Sequence, residues 1–488
     1  MSYYKGFFRY KSKEILLVLV FAFKAISSFS QDTTVLYFDA FYEQVLRYHP
    51  LSKQAMLLPK MAQAELRSAR GAFDPTVQFN LSSKQTNGQN SYQYVEPQVK
   101  IPTLIGIDIK AGLDQSSGLT ISPERGKYDP VSGATKNVEY QLFYAGVSVP
   151  VLRGLLTDAR RNQLRQAQLL SGLNQAEQIS SINKLLLEAA KAYWDWHQNY
   201  QRLAFLQSGL ELAEKRKYFI ISRVKAGEAK AMDSVEAWVE YKRREALLNE
   251  MELAFLNSSL ELSNFLWDEN NTALQLLPQV IPSAKGSQVQ FISLDSIQTL
   301  SSLAQEFHPD LQKLTYKLNQ SQLDRRLALE NLKPQLNVDY IPFQTYTAGS
   351  RDEVNGLFMK NYKLGVSFYS SVLLRKERGK LELTNYKIQQ NELQLQQGKR
   401  VVNNTLLATY NELKTNEKLL SIQNELVQNA ILLRNAEEYR FENGESSLFL
   451  INQRERSLMD AQIKFAELEA KYAKAKFQLQ WASGIKCF

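Results

Sequence analysis

Prolines are absent from two long stretches of this chain, between Pro150 and Pro278 and from Pro342 to the C-terminus. Proline removes a backbone donor and collides with the preceding helical turn, so each stretch is free to run as a very long helix. Glycine is sparse there too, and Leu, Glu, Lys, Gln, Ala and Asn dominate, a helix-forming mixture. In the second stretch Leu406, Tyr410, Leu413, Leu420, Val427 and Ile431 fall on one seam, and Leu458, Ala461, Phe465, Leu468 and Tyr472 on another. Spacing by threes and fours is that of coiled-coil packing. Between the two seams stands Gly444, which reads as a turn between antiparallel helices, because glycine ends helices in a left-handed conformation.

The chain also repeats itself. His49-Pro50 recurs as His308-Pro309, and Pro75 recurs as Pro334, both at an offset of 259. After each of these later prolines the period changes to two: Val77, Phe79 and Leu81 alternate in the first copy, Leu336, Val338 and Tyr340 in the second. Such alternation reads as strand. A second strand follows in each half, carrying Gly-Val-Ser at Gly146 and at Gly365, an offset of 219. The first half therefore holds forty more residues between its strands than the second. They could form a surface loop or an additional hairpin, and the sequence does not decide between them. Further on, Arg-x-x-x-Gly-Glu appears at Arg223–Glu228 and returns at Arg440–Glu445, an offset of 217.

These landmarks divide the chain into residues 1–30, a first repeat at 31–267, a linker at 268–297 with Pro278, Pro282 and Gly286, a second repeat at 298–484, and a tail at 485–488. Each repeat reads helix, strand pair (76–150 and 335–369), long helix, tight turn near 227 or 444, returning helix. The descending helix of the first repeat, over roughly 155–225, would be about 105 Å long. A helix of that length must be held by neighbours all along it.

Charge and cysteine content narrow the function classes. The formal net charge is +9. Lys5, Arg9, Lys11, Lys13 and Lys24 against the single acidic Glu14 place part of that excess in the first thirty residues. No basic stripe with interleaved aromatics is present, which argues against nucleic acid as a partner. The basic start, the apolar run Ile15–Phe23 and the small residues Ser28 and Ser30 read as an export signal. The lone cysteine, Cys487, lies far from that cleavage site, which argues against a lipoprotein anchor there. It also has no partner for a disulfide or metal site. Beyond the signal no apolar run approaches the length of a spanning helix. Nucleophile elbow, HExxH and phosphate-loop patterns are missing, so neither an enzyme nor a cofactor is expected. His49 and His308 precede Pro without a second ligand four residues on, and read as helix starts. His197, within "YWDWHQNY", reads as packing between helices.

An exported chain without a spanning helix is soluble or enters a membrane as a β-barrel. Four strands cannot close alone, since single-chain barrels begin at about eight. Three chains of four strands each would make twelve. Tyr92, Tyr94, Tyr140, Tyr144, Phe343 and Tyr346 would then form interfacial girdles.

The paired His-Pro segments, the strand pairs, "GVSVPVLRG" and the two glycine-centred tips together resemble the TolC-like outer-membrane efflux protein family, over about residues 35 to 484. The order and doubling of the motifs carry the resemblance, not any single one. It implies a mainly α fold with a β-barrel part: a homotrimer with a twelve-stranded barrel in outer-membrane lipid and a long periplasmic α-helical tunnel. It further implies a passive exit duct, served by a periplasmic membrane-fusion adaptor and an inner-membrane pump of the RND or ABC type. The duct of a type I protein-secretion system looks alike. A periplasmic adaptor or structural coiled coil is the reading of another class, and the doubling of strand pair plus hairpin argues against it.

By position, the resemblance assigns adaptor docking to Arg223, Gly227, Glu228 and Asp233 at the first tip, and to Arg440, Asn443, Gly444 and Glu445 at the second. Glu236 falls at the periplasmic entrance of the first hairpin. At the second, Leu450 and Gln453 stand where some relatives place carboxylates, so a gate of Phe441, Phe449, Leu450 and nearby polar groups is expected instead of an acidic ring.

Overall fold

A computed structural model of the chain describes residues 35–86, 88–118, 138–277, 279–283, 297–346 and 361–486. The first half runs β1 (Val35–Leu36), α1 (Phe38–Tyr48), α2 (Pro50–Gly71), β2 (Thr76–Thr86), β3 (Gln89–Pro102), β4 (Asp108–Gly118), β5 (Val138–Pro150), α3 (Ala159–Lys225) and α4 (Ala231–Ser263). The second half runs β6 (Ile281–Pro282), α5 (Ile297–Phe307), α6 (Pro309–Asn331), β7 (Gln335–Tyr346), β8 (Tyr362–Tyr369), α7 (Arg375–Glu442) and α8 (Leu448–Ala482). The expected export signal, residues 278 and 284–296 of the linker, and Cys487 lie outside the described residues.

The two proline-free stretches form helices of 67 and 68 residues, α3 and α7. Each is about 100 Å long at 1.5 Å per residue. Asp158 starts α3 by accepting a hydrogen bond from the Arg161 backbone N–H at 2.8 Å. Neighbours support it along its length: α2 and α6 toward one end, α4 and α8 toward the other. His49 and His308 begin α2 and α6, as their place before Pro suggests. Each imidazole Nδ1 accepts from the backbone N–H two residues on, Leu51 at 3.1 Å and Asp310 at 3.2 Å. Burial holds both rings below the ordinary histidine pKa, which keeps Nδ1 free to accept.

The largest core lies midway along α3. Phe38 and Phe41 of α1 meet Tyr193, Trp194 and Trp196 of α3 and Phe477 of α8. The Phe38 ring lies 5.1 Å from Tyr193, edge-on, and 4.9 Å from Phe477. Burying side chains of this size stabilises by roughly 1.5–3 kcal/mol each. His197 packs edge-on against Trp194 at 5.1 Å, within the helix layer. The parallel pair β1–β6 is tied to this belt, for the Tyr193 hydroxyl donates to the Leu36 carbonyl at 2.8 Å.

The remaining strands form one antiparallel sheet in the order β2-β3-β4-β5-β7-β8. The expectation of four strands per chain in this sheet is corrected here: among the described residues it has six. The extra residues of the first half build β3 and β4. Pro97 and Pro102 in β3, with polar residues between apolar ones, hide that strand from a reading of local pattern.

Residues directly opposite in an antiparallel pair share a face. Val77–Val99–Ala111–Ala145 is one such row, and Val147–Tyr340–Leu364 another. Val95, Ile101, Ile109, Phe143, Val338, Val366 and Phe368 lie on the same apolar face. It is open: Val77 is 77% exposed and Val366 is 65% exposed. The opposite face carries Gln78, Asn80, Glu96, Gln98, Lys100, Lys110, Asp114 and Asp339. Tyr92, Tyr94, Tyr144 and Phe343 belong to this polar face by register, so the expected outward girdle fails for them. The Tyr144 hydroxyl donates to Glu96 at 3.0 Å and accepts from Gln98 at 2.8 Å. The side chains of Tyr140 and Tyr346 lie outside the described residues.

Candidate functional site

The hairpin tips explain why Arg-x-x-x-Gly-Glu occurs twice. At the first, the Glu228 N–H donates to the Arg223 carbonyl at 2.9 Å and the Gly227 N–H to the Val224 carbonyl at 3.0 Å. At the second, Glu445 donates to Arg440 at 2.8 Å and Gly444 to Phe441 at 3.1 Å. This pair of bonds is the Schellman motif, which satisfies the last carbonyls of a helix and needs a left-handed residue. Gly227 and Gly444 both have φ of 78°.

The charged neighbours serve the turns. Arg223 Nε lies 3.5 Å from Glu228, and Arg440 Nη2 donates to the Glu445 carbonyl at 3.4 Å. Asp233 accepts from the Lys230 backbone N–H at 3.2 Å, closing the start of α4. Ser447 does the same for α8, accepting from the Leu450 N–H at 3.3 Å. Asn443 is the last residue before Gly444 and is exposed.

The structure separates the expected entrance residues. Phe441 is drawn into a small core joining the two hairpins, with Ile220 and Val224 of α3, Ala237 of α4, and Leu448 and Ile451 of α8. The Arg216 guanidinium stands 6.0 Å over its ring. Phe449 and Leu450 are exposed on the first turn of α8, and Gln453 is exposed one turn further. Glu236 sits half-buried on α4. Phe449, Leu450 and Gln453 therefore share one helix start, while Phe441 and Glu236 are elsewhere.

Behind the tips lies a cluster that sequence reading missed. Arg244 of α4 donates to Glu240 at 3.0 Å, to Glu455 of α8 at 2.8 Å and to the Gly209 carbonyl of α3 at 2.8 Å. Arg216 of α3 pairs with Glu455 at 2.6 Å, and Arg456 of α8 with Glu240 at 2.5 Å. The Arg244, Glu240 and Glu455 side chains are almost fully buried. Burial opposes the Glu240 carboxylate, but the Arg456 hydrogen bond and the Arg244 charge outweigh it and hold its pKa below the ordinary value. The Glu240–Arg244 spacing of four is a helix-face signal, yet surface pairs share it, so spacing alone does not reveal burial. Glu437, also buried, accepts from Ser446 at 2.5 Å and lies 3.5 Å from Arg440.

At the other end a cleft of about 280 Å³ separates sheet from helices. Arg160 spans it, donating to Asp108 at 3.1 Å and standing 3.7 Å from Asp158, so it is a joint. Among the described residues, no helix is long and apolar enough to cross a membrane, and no cluster of side chains could hold a metal.

Two long helical hairpins projecting from a six-stranded antiparallel sheet are matched among solved structures. The outer-membrane channel OprN superposes with a TM-score of 0.64 at 14% identity, over 91% of this chain and 89% of that one. VceC from Vibrio cholerae, an outer membrane protein, gives 0.63 at 13% identity, over 91% and 95% of the two chains. The open-state MtrE outer membrane channel of Neisseria gonorrhoeae gives 0.63 at 13% identity, over 91% and 88%. The chain has the outer-membrane channel fold. This is the fold the sequence resemblance implied. No family model and no curated protein matches the sequence itself. At such low identity the channel fold is shared while the side chains are this chain's own.

Proposed function

We propose that this chain is one subunit of a trimeric outer-membrane duct that conducts small molecules outward. The observation that carries this reading is the open apolar face running across the whole sheet, with a polar face behind it and hairpins about 100 Å long at one end. A sheet apolar on one side and polar on the other fits lipid outside and water inside. The sheet ends in open edges, which a bilayer does not tolerate, so copies must join edge to edge. The hairpins then extend into the periplasm as a tunnel.

In this reading the tips meet a periplasmic adaptor. Arg223, Gly227, Glu228, Asp233, Arg440, Asn443, Gly444 and Glu445 offer a compact turn with oriented charges, and glycine lets a partner backbone approach closely. Phe449, Leu450 and Gln453 are the candidates for the entrance. The motive force comes from an inner-membrane pump. The test is native mass measurement and electron microscopy of detergent-extracted protein. A trimer with a barrel at one end and a long helical body is expected, whereas a monomer or a water-soluble rod overturns the duct. Gly444→Pro, which cannot adopt a positive φ, is expected to leave the trimer intact and reduce export.

A further inference from the structure

We infer that the inserted pair β3–β4 is part of the membrane-spanning wall, its apolar side set against lipid acyl chains, so that three copies close a barrel of eighteen strands and not twelve. The inference rests on the duct reading above.

Four observations carry it. First, β2 and β5 are not neighbours: β3 pairs with β2 from Lys100 to Gln89, and β4 pairs with β5 from Asp108 to Gly118. The sheet cannot close without passing through the insertion. Second, both inserted strands have the length a tilted membrane strand needs, 14 and 11 residues. Their outward residues, Val95, Val99, Ile101, Ile109 and Leu113, continue the apolar face of the sheet. A surface hairpin has no use for that continuity.

Third, the insertion is fastened to the wall on its polar side. Gly112 of β4 leaves room for the Tyr144 side chain of β5 to reach across to Glu96 and Gln98 of β3; a Cβ at Gly112 would lie 2.6 Å from that ring. An aromatic laid over a strand glycine pins register. Fourth, the turn between β3 and β4 is built like the other connections at the helical end. Leu104 and Ile105 are exposed there, as are Leu155 and Leu156 after β5 and Val372 and Leu373 after β8. The same turn is clamped to α3, with Arg161 donating to the carbonyls of Ile105, Leu155 and Gly154, and Arg160 to Asp108. Exposed apolar pairs at one level on three connections fit the edge of a hydrocarbon layer.

Adding two strands per chain raises the count by half, and at equal tilt the barrel diameter rises roughly in proportion. The outer-membrane segment is then about half as wide again as a twelve-stranded one.

The test is thiol labelling in native membranes, in a Cys487→Ser background. Val99→Cys and Ile109→Cys probe the insertion, Val366→Cys probes β8, and Gln98→Cys probes the polar face. Each is offered an acyl-chain maleimide confined to the bilayer and a charged, impermeant maleimide. The expected result is that Val99→Cys, Ile109→Cys and Val366→Cys react with the bilayer reagent and Gln98→Cys with the charged one alone. Reaction of Val366→Cys with the bilayer reagent, but of Val99→Cys and Ile109→Cys with the charged reagent only, overturns the inference and leaves the duct standing. Bilayer labelling at none of them overturns the duct itself. Counting strands in an image of the unmodified trimer decides the point independently: eighteen supports it and twelve sinks it.

Discussion

The two halves of this chain agree at one end and part at the other. At the helical tips both close with the same six-residue cap, the same φ of 78° and the same bond pattern. In the sheet the first half supplies four strands and the second supplies two. The difference has a physical origin. A helical hairpin is packed along its length, so extra residues would shift every later contact out of register. A sheet accepts an even number of added strands, because the chain returns to the same end and the alternation of faces continues.

The joint between the halves behind the tips should be the most sensitive point. Arg244→Met leaves Glu240 and Glu455 buried with fewer partners and should cost about 3–5 kcal/mol, the usual result of breaking a buried pair from one side. Thermal unfolding followed by circular dichroism measures it; Arg47→Met, at the exposed pair with Glu43, should fall within about 0.5 kcal/mol of the parent. Acid should weaken the same joint. The Glu240 pKa is lower in the folded chain than its ordinary 4.5, so its contribution is full above that value and is lost as pH falls below it.

Gly146 and Gly365, equivalent in the repeat, should behave differently. A Cβ at Gly146 would lie 2.5 Å from the Tyr340 carbonyl, whereas at Gly365 the nearest atom is 3.6 Å away. Gly146→Ala should cost roughly 1–3 kcal/mol by overpacking. Gly365→Ala should be near neutral, and a loss of the proposed trimer there would reveal a neighbouring copy crowding β8.

At the tips the halves should respond alike. Gly227→Ala and Gly444→Ala should each cost about 1–2 kcal/mol, with Asn milder than Ala, since neither site has an atom within 4 Å of the new Cβ. Unequal losses would break the equivalence. The smallest effect should come from the histidine caps. Their pKa values are lowered on folding, so the unfolded chain binds more protons below the ordinary 6.5, and stability should decline as pH falls through that value. A titration with His49→Asn and His308→Asn should reduce that slope while keeping a capping acceptor, leaving the part that buried His197 supplies.

Much of the frame was legible because it rests on local chemistry. Missing prolines allowed α3 and α7, Gly227 and Gly444 marked the turns, and His49 and His308 the helix starts. The docking and entrance residues were legible only as positions, for nothing local told Phe441, half-buried between hairpins, from exposed Phe449. Glu240, Arg244 and Glu455 escaped because each looks like a surface charge until three helices enclose it, with Arg216 and Arg456 as partners.

The sequence by itself therefore determined the lengths of the helices, the places where they turn and the alternation of β2, β5, β7 and β8, since each depends on residues a few positions apart. Only the tertiary structure decided that β3 and β4 stand inside the sheet, that Tyr144 faces its polar side, and that Glu240, Arg244 and Glu455 lie buried behind the tips. Those depend on which distant segment lies alongside, and pairing between strands or helices leaves no periodic mark in either partner alone.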